Sequence, residues 1–291
     1  MEIIQYSEEH RMFRESVRKY FEKEVIPYVE EWEEAGIVPR SAWKKLGGQG
    51  FLCMDVSEEY GGLGADFLYS VIMTEEMMRT NHGGFCTFLH SDIVVPYITA
   101  YGSEELQKKY LPGCISGDII AAVAMTEPNT GSDLAAIKAT AVEDGDNVII
   151  NGQKTFISNG INCGIVIVAA RDPRIESPYA AMDLYIVEEG TPGFEKGKQI
   201  KKVGLHSQDT AELYFTDCRV PKKNRLGEKG TGFLHLMEKL QQERLMVAIC
   251  AVAAAEYMLD ITIDYCKERS VFGKPVSKFQ HSQFEIVEMA T

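Results

Sequence analysis

The amino-acid sequence predicts a multidomain α+β protein: a helical N-terminal domain, a central antiparallel β-barrel or sandwich, and the beginning of a C-terminal helical bundle. Apolar residues recur at helical spacing up to about residue 118, at strand spacing to about residue 230, and at helical spacing again from there on. Turn signals rich in glycine, asparagine and aspartate separate the short apolar runs of the middle part. The predicted domains are therefore 1–118, 119–230 and 231–291.

The N-terminal domain is predicted to consist of helices joined by short turns. Ser7, followed by two glutamates, is a helix-capping pattern, and the first helix should end before Pro27. A short helix around Trp43 leads into a glycine-broken turn, and the loop at 59–64 has too many glycines for either regular structure. The remaining helices are expected at 67–79, at 85–101 with an interruption near Pro96, and at 104–111.

The middle domain is predicted to be antiparallel because its apolar runs are short and closely spaced, with no helical segment between them. The third domain begins with a long helix at 233–267, followed by a second helix at 279–291. No capping or stop signal ends that last helix, so we expect this domain to be incomplete in the chain. The strand-like runs of the middle domain are 119–125, 137–143, 147–150, 155–158, 165–170, 184–188 and 213–215.

Composition excludes several classes of protein. Of the 291 residues, 45% are hydrophobic and 25% charged, which is typical of a globular domain, and the formal net charge of −13 argues against a nucleic-acid partner. No apolar run is seen to approach the roughly 20 residues that a bilayer requires, so no membrane insertion is predicted. Seven cysteines without a Cys-x-x-Cys pair predict reduced thiols and a cytoplasmic location. The six histidines show no metal-ligand spacing.

The loop after the first predicted strand suits a phosphate-bearing ligand. In the stretch 124–133, Pro128 and Gly131 favour a tight turn, and the Thr126, Thr130 and Ser132 hydroxyls are expected close to free backbone N–H groups. Such a loop could bind a nucleotide cofactor. On this stretch alone, a polar surface turn is the favoured interpretation.

Glu243 is the candidate for acid–base chemistry. It lies on the stripe of the long helix that also carries Leu236, Leu240, Val247 and Cys250, at spacings of three and four residues. A carboxylate on an apolar stripe is partly desolvated, which raises its pKa and suits it to abstract a proton from a weakly acidic carbon. The alternative is a carboxylate that pairs with a cation at the helix edge. The neighbouring Arg244 could bind a phosphate or could be a surface cation.

Two further stretches could contact a heterocycle or a phosphate. Phe156 and Ser158 alternate along a predicted strand, so both should project to one face, where they could stack on and hydrogen-bond a flat ring. Residues 269–275, which include Arg269 and Phe272, form a basic and aromatic turn between two helices. Ordinary half-buried sheet and a plain helix connection are the simpler alternatives.

Five stretches, taken together and in this order, resemble the acyl-CoA dehydrogenase family. Two details, Leu89-His90-Ser91-Asp92-Ile93-Val94 and Gln242-Glu243-Arg244-Leu245, are most similar to its long-chain branch. The five stretches are Tyr60-Gly61-Gly62-Leu63-Gly64, Met125-Thr126-Glu127-Pro128 with Gly131-Ser132-Asp133, Phe156-Ile157-Ser158-Asn159-Gly160, Gly204-Leu205 with Asp209-Thr210-Ala211-Glu212-Leu213, and Arg269 to Lys274.

The resemblance implies that FAD is held between the last two domains, and it assigns residues by matching position. The run from Val123 to Ser132, including Met125, Thr126 and Gly131, would line the flavin and the pyrophosphate, and Phe156 and Ser158 would lie against the isoalloxazine ring. Arg269, Phe272, Phe279 and Gln280 would reach the FAD of a neighbouring subunit, which implies a homo-oligomer, most simply a homotetramer arranged as a dimer of dimers. Ser132 and the run Gln241, Gln242 and Arg244 would contact acyl-CoA.

The resemblance also implies a reaction, the α,β-dehydrogenation of a fatty acyl-CoA to a 2-enoyl-CoA as in fatty-acid β-oxidation. The family places its catalytic base either on a late C-terminal loop or, in the long-chain and isovaleryl-type members, on the helix where Glu243 stands. We therefore assign the base to Glu243. The electrons would pass to electron-transfer flavoprotein.

Two other functions remain open from the sequence. An acyl-CoA oxidase or a flavin monooxygenase would share this fold but use oxygen as the electron acceptor. A non-catalytic fragment that binds acyl-CoA or flavin belongs to a different class. Acyl chain length and branching are not predicted, because cavity depth depends on side chains from several helices.

Overall fold

The computed structural model describes residues 5–291 of the chain, and its first part is helical. A π-helical segment, Leu89–Val94, leads directly into α5. The helices before the sheet are α1 Glu8–Glu24, α2 Val29–Ala35, α3 Arg40–Gly47, α4 Phe67–Met78, α5 Val95–Tyr101 and α6 Glu104–Ser116.

Local sequence signals explain most of these helix ends. The Ser7 hydroxyl accepts a hydrogen bond from the His10 N–H, and the His10 ring accepts one from the Ser7 N–H, so the predicted cap is present as a capping box. Helix α2 was not predicted. The helix expected over 85–101 is wrong in part, because helical structure starts only at Thr87 and the segment Leu89–Val94 is π-helical. Pro96 occupies the first turn of α5. Proline is tolerated there because the N–H groups of a first turn make no hydrogen bond within the helix.

The middle part forms one eight-stranded sheet. Its order is β6-β7-β3-β2-β4-β5-β8, and β1 pairs with β4 outside this path. Most pairs are antiparallel as predicted, but β1 and β2 both run parallel to β4, so the purely antiparallel prediction is wrong at those two pairs. The strands are β1 Ala121–Ala124, β2 Thr140–Asp144, β3 Asn147–Ser158, β4 Ile165–Arg171, β5 Met182–Glu188, β6 Phe194–Gln199, β7 Thr210–Pro221 and β8 Arg225–Leu226.

One predicted turn lies inside a strand. The runs 147–150 and 155–158 belong to a single strand, β3, although Asn151-Gly152 resembles a turn signal. Gly152 has a φ of 151° and lies at a register shift. A Cβ there would come within 2.6 Å of the Ala139 Cβ. The glycine therefore marks a close approach of two strands and not a chain reversal. Strand β6 was missed because only Phe194 among its residues is strongly apolar.

The sheet is buried on both faces where the site is built. In β4, Ile165, Ile167 and Ala169 join the core that the helices form, whereas Val166, Val168 and Ala170 join a second core on the opposite face. Strand β5 alternates in the same way. Because both faces are buried, the sequences of β4 and β5 are continuous apolar runs. Strand β1, which follows the helical domain, pairs with β4 and is buried as well.

His90 joins the helical domain to the sheet. Its imidazole is fully buried; Nδ1 accepts a hydrogen bond from the Ala121 N–H at 3.0 Å, and Nε2 lies 3.0 Å from the Cys114 carbonyl oxygen. Burial lowers the pKa of His90 to about 4, so the ring is neutral near pH 7, with the proton on Nε2. One side chain thus connects the π-helical segment, α6 and β1.

The C-terminal part consists of two helices joined by a small hairpin. Helix α7, Gly232–Glu268, packs against α4, the π-helical segment and α5, and it ends at the hairpin formed by β9 Ser270–Val271 and β10 Lys274–Pro275. Helix α8, Gln280–Ala290, follows.

By length and composition alone, α7 is also the one helix within residues 5–291 that could cross a membrane, so its apolar run is longer than the sequence analysis recognised. Helices that pack in bundles have the same composition.

Candidate active site

The loop after β1 is closed by its own backbone. Glu127 and Thr130 exchange two N–H···O hydrogen bonds of 2.8 and 3.0 Å, with Pro128 at the turn between them. Gly131 and Ser132 follow at the exposed tip, and a Cβ on Gly131 would have no neighbour within 4 Å. The prediction for the Thr130 hydroxyl is wrong, because Thr130 is buried and its hydroxyl donates to the Ala136 carbonyl. The tip therefore offers Ser132 and open space to a ligand.

A buried ion pair joins this loop to β3. Lys154 has 0% of its surface exposed, and its ammonium donates at 2.9 Å to both the Glu127 carboxylate and the Met125 carbonyl. The Glu127 carboxylate also accepts the Lys138 and Ala139 backbone N–H groups at 2.7 and 2.9 Å. Burial lowers the pKa of Lys154, and the adjacent carboxylate opposes that shift. The loop therefore has fixed electrostatic anchors beneath it.

Phe156 stands beside this anchor on a bulge of β3. The Thr155 N–H donates to the Thr126 carbonyl at 3.0 Å, and the register of β3 against β7 shifts between Lys154 and Ile157. Phe156 takes a φ of 58° and leaves 64% of its side chain exposed, while Ser158 is half-buried. Phe156 and Ser158 are both more exposed than Thr155 and Ile157, but the bulge and the left-handed backbone at Phe156 break the regular alternation on which the prediction of a shared face was based. An aromatic ring held in this conformation presents an unpartnered face.

A second set of contacts ties the end of β3 to the loop before β7. The buried Asp209 carboxylate accepts the backbone N–H groups of Ile161 and Asn162 at 2.8 and 3.0 Å. The Asn159 N–H donates to the Asp209 carbonyl, and the Asn159 amide donates to the Ala121 carbonyl at 3.2 Å. Three of the five family-like stretches are thereby brought together around β1 and β3. The Tyr60–Gly64 stretch is not among them; it packs within the helical domain against Val56.

Glu243 lies at the seam between α7 and α5. It is half-buried, and its Oε1 accepts a hydrogen bond from the hydroxyl of Tyr97 at 2.7 Å. Burial raises the pKa of Glu243 above its ordinary value, while the Tyr97 hydrogen bond and the Arg244 charge act in the opposite direction. The sequence-based expectation of a desolvated carboxylate on this face of the helix agrees with that environment. The predicted apolar stripe is wrong in part, because Val247, which was assigned to it, is exposed.

The residues next to Glu243 differ in exposure. Gln242 is half-buried, and its amide donates to the Asp92 carbonyl in the π-helical segment at 2.8 Å. Gln241 and Arg244 are exposed. Met246, one turn further on, is fully buried and marks the true core-facing line of the helix.

Comparison with known proteins identifies the family. Models of the acyl-CoA dehydrogenase N-terminal, middle and C-terminal domains match residues 7–118, 122–218 and 230–291. The chain is 46% identical to the long-chain specific acyl-CoA dehydrogenase, mitochondrial, of Sus scrofa, over 98% of this chain and 67% of that protein. The chain belongs to the acyl-CoA dehydrogenase family. It is therefore an oxidoreductase that acts on CH–CH bonds, and its cofactor is FAD.

Solved structures of acyl-CoA dehydrogenases agree with this fold. An acyl-CoA dehydrogenase from Geobacillus kaustophilus superposes with a TM-score of 0.96 at 54% identity, covering 98% of this chain and 75% of that one. A glutaryl-CoA dehydrogenase from Mycobacterium smegmatis in complex with FADH2 superposes with a TM-score of 0.89 at 28% identity, covering 97% of this chain and 72% of that one. The helical, β-sheet and helical parts thus follow the family fold.

The residues of this acyl-CoA dehydrogenase fit the flavin. The exposed Phe156 ring, the half-buried Thr126 and Ser158, and the open tip at Gly131 and Ser132 form one surface held by the Lys154 anchor. An apolar ring suits a flat heterocycle, and hydroxyls with a free backbone suit a pyrophosphate. Val123 and Met125, both half-buried, lie behind this surface and pack against the helical core.

The hairpin residues lie far from Glu243 in the same acyl-CoA dehydrogenase chain. The 25 residues from Glu243 to the end of α7 at Glu268 span about 38 Å along the helix axis. Arg269 and Gln280 are exposed, and Phe272 leaves 95% of its side chain exposed with a φ of 51°. Phe279 is half-buried and contacts Phe272 edge-on, with ring centroids 6.4 Å apart. These four residues form a separate group.

Sequence reasoning missed the residues that position the site. Lys154, Thr155 and Tyr97 were given no role, and Glu127 was quoted only as part of a motif. A lysine within a strand that is otherwise mostly apolar or small was a usable signal for Lys154. Tyr97 gave no such signal, since an aromatic residue in an apolar helix is ordinary core.

Proposed function

We propose that this acyl-CoA dehydrogenase oxidises long-chain fatty acyl-CoA thioesters to 2-enoyl-CoA, with Glu243 as the catalytic base. The observation that carries the proposal is the half-buried Glu243 carboxylate on the inner side of α7, whose pKa burial raises toward that of a useful base. The long-chain assignment is supported by the match to long-chain specific relatives over nearly the whole chain.

In the proposed reaction, Glu243 removes the proton from the carbon next to the thioester carbonyl. Bound FAD would supply the acceptor for the hydride equivalent that leaves the β-carbon. The α,β C–C bond gains the electron pair of the broken α C–H bond and becomes a double bond. Because α7 and α5 enclose the carboxylate, water competes poorly for it, and a proton transferred to Glu243 stays in a partly desolvated environment. Hydrogen bonds to the thioester carbonyl would stabilise the developing enolate.

The proposed flavin contacts are the surface formed by Thr126, Gly131, Ser132, Phe156 and Ser158, together with Val123 and Met125, which lie behind it. Phe156 would stack on the isoalloxazine ring, and the tip at Gly131 and Ser132 would hold the pyrophosphate. Ser132, Gln241, Gln242 and Arg244 are proposed to contact acyl-CoA. The exposure of Gln241, Ser132 and Arg244 supports access to a ligand.

The substitution Glu243→Gln tests the base. It keeps the size of the side chain but removes its proton affinity, so we expect acyl-CoA to bind normally while flavin reduction slows by about 10²–10⁴-fold. The measurement is anaerobic bleaching of the flavin by long-chain acyl-CoA in a stopped-flow spectrophotometer. Glu238→Gln, on the same helix but exposed, is the matched control and should bleach at the wild-type rate. Near-normal bleaching by Glu243→Gln would remove Glu243 from the base role.

The electron acceptor is proposed to be electron-transfer flavoprotein. The alternative acceptor, oxygen, is distinguished by aerobic turnover, because an oxidase releases hydrogen peroxide and a dehydrogenase needs an added acceptor. Substrates of increasing acyl length in the same assay define the chain-length preference.

We also propose a homo-oligomer, most simply a homotetramer, in which Arg269, Phe272, Phe279 and Gln280 contact the FAD of a neighbouring subunit. Support comes from the distance of about 38 Å along α7 that separates them from Glu243. The exposure of Phe272 points the same way, because within its own chain this phenylalanine buries almost none of its surface while its backbone takes a left-handed conformation. Light scattering measures the mass of the particle in solution, which should be about four times that of the chain for a homotetramer.

A cytoplasmic location is proposed from the seven unpaired cysteines.

A further inference from the structure

Tyr97 and Glu243 form a buried polar contact between two helices. The Tyr97 side chain has 0% exposure, and its hydroxyl lies 2.7 Å from Glu243 Oε1. Tyr97 belongs to α5 in the helical domain, and Glu243 belongs to α7, 146 residues later. The hydroxyl is the hydrogen-bond donor, because burial and the adjacent carboxylate both raise the pKa of the tyrosine above its ordinary value.

We propose that Tyr97 is a positioning residue of the dehydrogenase reaction, which holds the Glu243 carboxylate in one orientation and favours its ionised form. The inference rests on the proposed role of Glu243 as the base. A neutral phenol that donates to a carboxylate stabilises the charged acceptor more than the protonated one. Burial alone would leave a larger fraction of Glu243 protonated and unable to accept a proton near neutral pH.

The position of Tyr97 favours orientation as well as charge. Its ring is packed in the helical core, so its hydroxyl cannot follow a mobile carboxylate. The Tyr97 bond uses one carboxylate oxygen, Oε1, and among residues 5–291 the structure shows no other side-chain or backbone donor to either oxygen. Oε2 is therefore the oxygen that is available to accept the substrate proton, and the Tyr97 bond restricts the positions that it can take.

The charged groups around Glu243 come from several elements. On α7 itself, Arg244 lowers the pKa of Glu243. The π-helical segment contributes Asp92, whose backbone carbonyl accepts from Gln242 next to Glu243. Lys239, one turn earlier on α7, acts on Asp55 in the loop after α3. On α4, Glu76 binds Arg18 on the side that faces α1. Tyr97 is therefore the only one of these groups that hydrogen-bonds to the base within the described part of the chain.

The same pair of helices provides a matched control. Tyr101, one turn after Tyr97, donates to Glu238 Oε2 at 2.6 Å, so α5 and α7 share two tyrosine–glutamate hydrogen bonds. Glu238 is more than half exposed, with 53% of its side chain accessible, and it has no proposed role in the reaction. Removal of either hydroxyl leaves a phenylalanine of nearly the same volume in the same helix.

The experiment measures the pH dependence of anaerobic flavin bleaching by acyl-CoA in FAD-loaded wild-type protein, Tyr97→Phe and Tyr101→Phe. In Tyr97→Phe we expect the acidic limb to move upward by about one pH unit, because one hydrogen bond to the charged form is lost. At pH values below the limb, the rate of flavin bleaching in Tyr97→Phe should be roughly tenfold lower than in the wild type. The KM for acyl-CoA should stay within about twofold of the wild-type value. Tyr101→Phe should leave the limb unchanged.

A second readout does not require activity. Infrared titration of the flavin-free protein follows the protonated carboxyl band that disappears in Glu243→Gln, and this band should titrate about one pH unit higher in Tyr97→Phe. Unchanged titration and an unchanged acidic limb would overturn the role of Tyr97 while leaving Glu243 as the base. Normal bleaching by Glu243→Gln would instead overturn the base assignment, and with it the role of Tyr97 in the reaction.

Discussion

Two glutamates in this acyl-CoA dehydrogenase show how differently one fold holds a carboxylate. Glu127, in the loop after β1, is buried. Its carboxylate accepts hydrogen bonds from the Lys154 ammonium and from two backbone N–H groups. Glu243, at the seam of α5 and α7, is half-buried and accepts one hydrogen bond, from Tyr97. The first carboxylate is saturated with donors, and the second retains acceptor capacity.

The comparison teaches that anchoring and reactivity require opposite surroundings. A carboxylate with a paired cation and several donors stays charged and keeps its position, so it can hold a cofactor loop in place. A carboxylate that is desolvated but weakly bound has a raised pKa, so it can gain a proton and lose it again. The protein separates the two tasks onto the sheet and onto the helices.

The largest loss of stability should follow from removal of Lys154, the cation of the buried ion pair with Glu127. Lys154→Met keeps the side-chain length but leaves the buried Glu127 charge without its partner, which should lower the free energy of unfolding by roughly 3–5 kcal/mol. The flavin loop should loosen as well, so the purified variant should carry less FAD. Urea unfolding and the flavin-to-protein absorbance ratio measure the two effects.

An exposed ion pair provides the control for that prediction. Lys108→Met breaks the pair with Glu104 on the surface of α6, where the expected loss is only about 0.5 kcal/mol. The double variant Glu127→Gln with Lys154→Met should lose less than the sum of the single losses, since no buried charge remains. Equal losses for Lys154→Met and Lys108→Met would show that Lys154 is not an anchor.

The next effect is expected at Asp92, in the π-helical segment, and depends on pH. Burial raises the pKa of Asp92 from 3.8 to about 7, although the Ser70 hydroxyl opposes the shift. Between about pH 4 and pH 7 the unfolded chain releases this proton while the folded protein keeps it, so stability falls as the pH rises, by roughly 4 kcal/mol in all. Asp92→Asn should remove this loss.

Paired urea titrations at several pH values measure the effect of Asp92→Asn. The variant and the wild type should be close in stability near pH 4, and the variant should be the more stable above pH 7. His90, which is buried nearby with a lowered pKa, is unchanged in both proteins, so its contribution cancels in the difference. A difference that stays constant across the pH range would contradict the raised pKa of Asp92.

The smallest change in stability, with a clear change in binding, is expected at Phe156. Phe156→Gly removes an exposed ring and relieves a left-handed backbone, and the greater flexibility of glycine in the unfolded chain offsets that gain. The free energy of unfolding without flavin should therefore change by less than about 1 kcal/mol. The affinity for FAD should fall about tenfold, as measured by fluorescence titration, because the stacking surface is lost. Phe215, buried in β7, is the contrasting position, where loss of the ring should destabilise the fold.

The fold was largely predictable because it depends on the period of apolar residues. The changes of period near 119 and 232 separate helices from sheet, and the Ser7 cap is a local signal that the structure contains. The parallel pairing of β1 with β4 was not predictable, since nothing within Ala121–Ala124 specifies its partner. Gly152 was misread because a glycine at a close strand approach and a glycine in a turn have the same sequence signal.

The site was predictable only in part, and for a related reason. Glu243 could be assigned to an inner helix face from spacing along a single helix. The exposed Val247 shows the limit of that reasoning, because the neighbours that cover a helix face come from other elements. Lys154 meets Glu127 across 27 residues, and Tyr97 meets Glu243 across 146, so neither contact is encoded in a local pattern.

The His90 side chain has a consequence for how the molecule admits a substrate. Each ring nitrogen engages a backbone group, one at the start of β1 and one near the end of α6, in a site without water access. Sliding of the helical layer over the sheet would have to break both contacts at once and leave a buried imidazole without partners. A substrate that approaches Glu243 therefore meets a helical layer and a sheet that His90 holds in register.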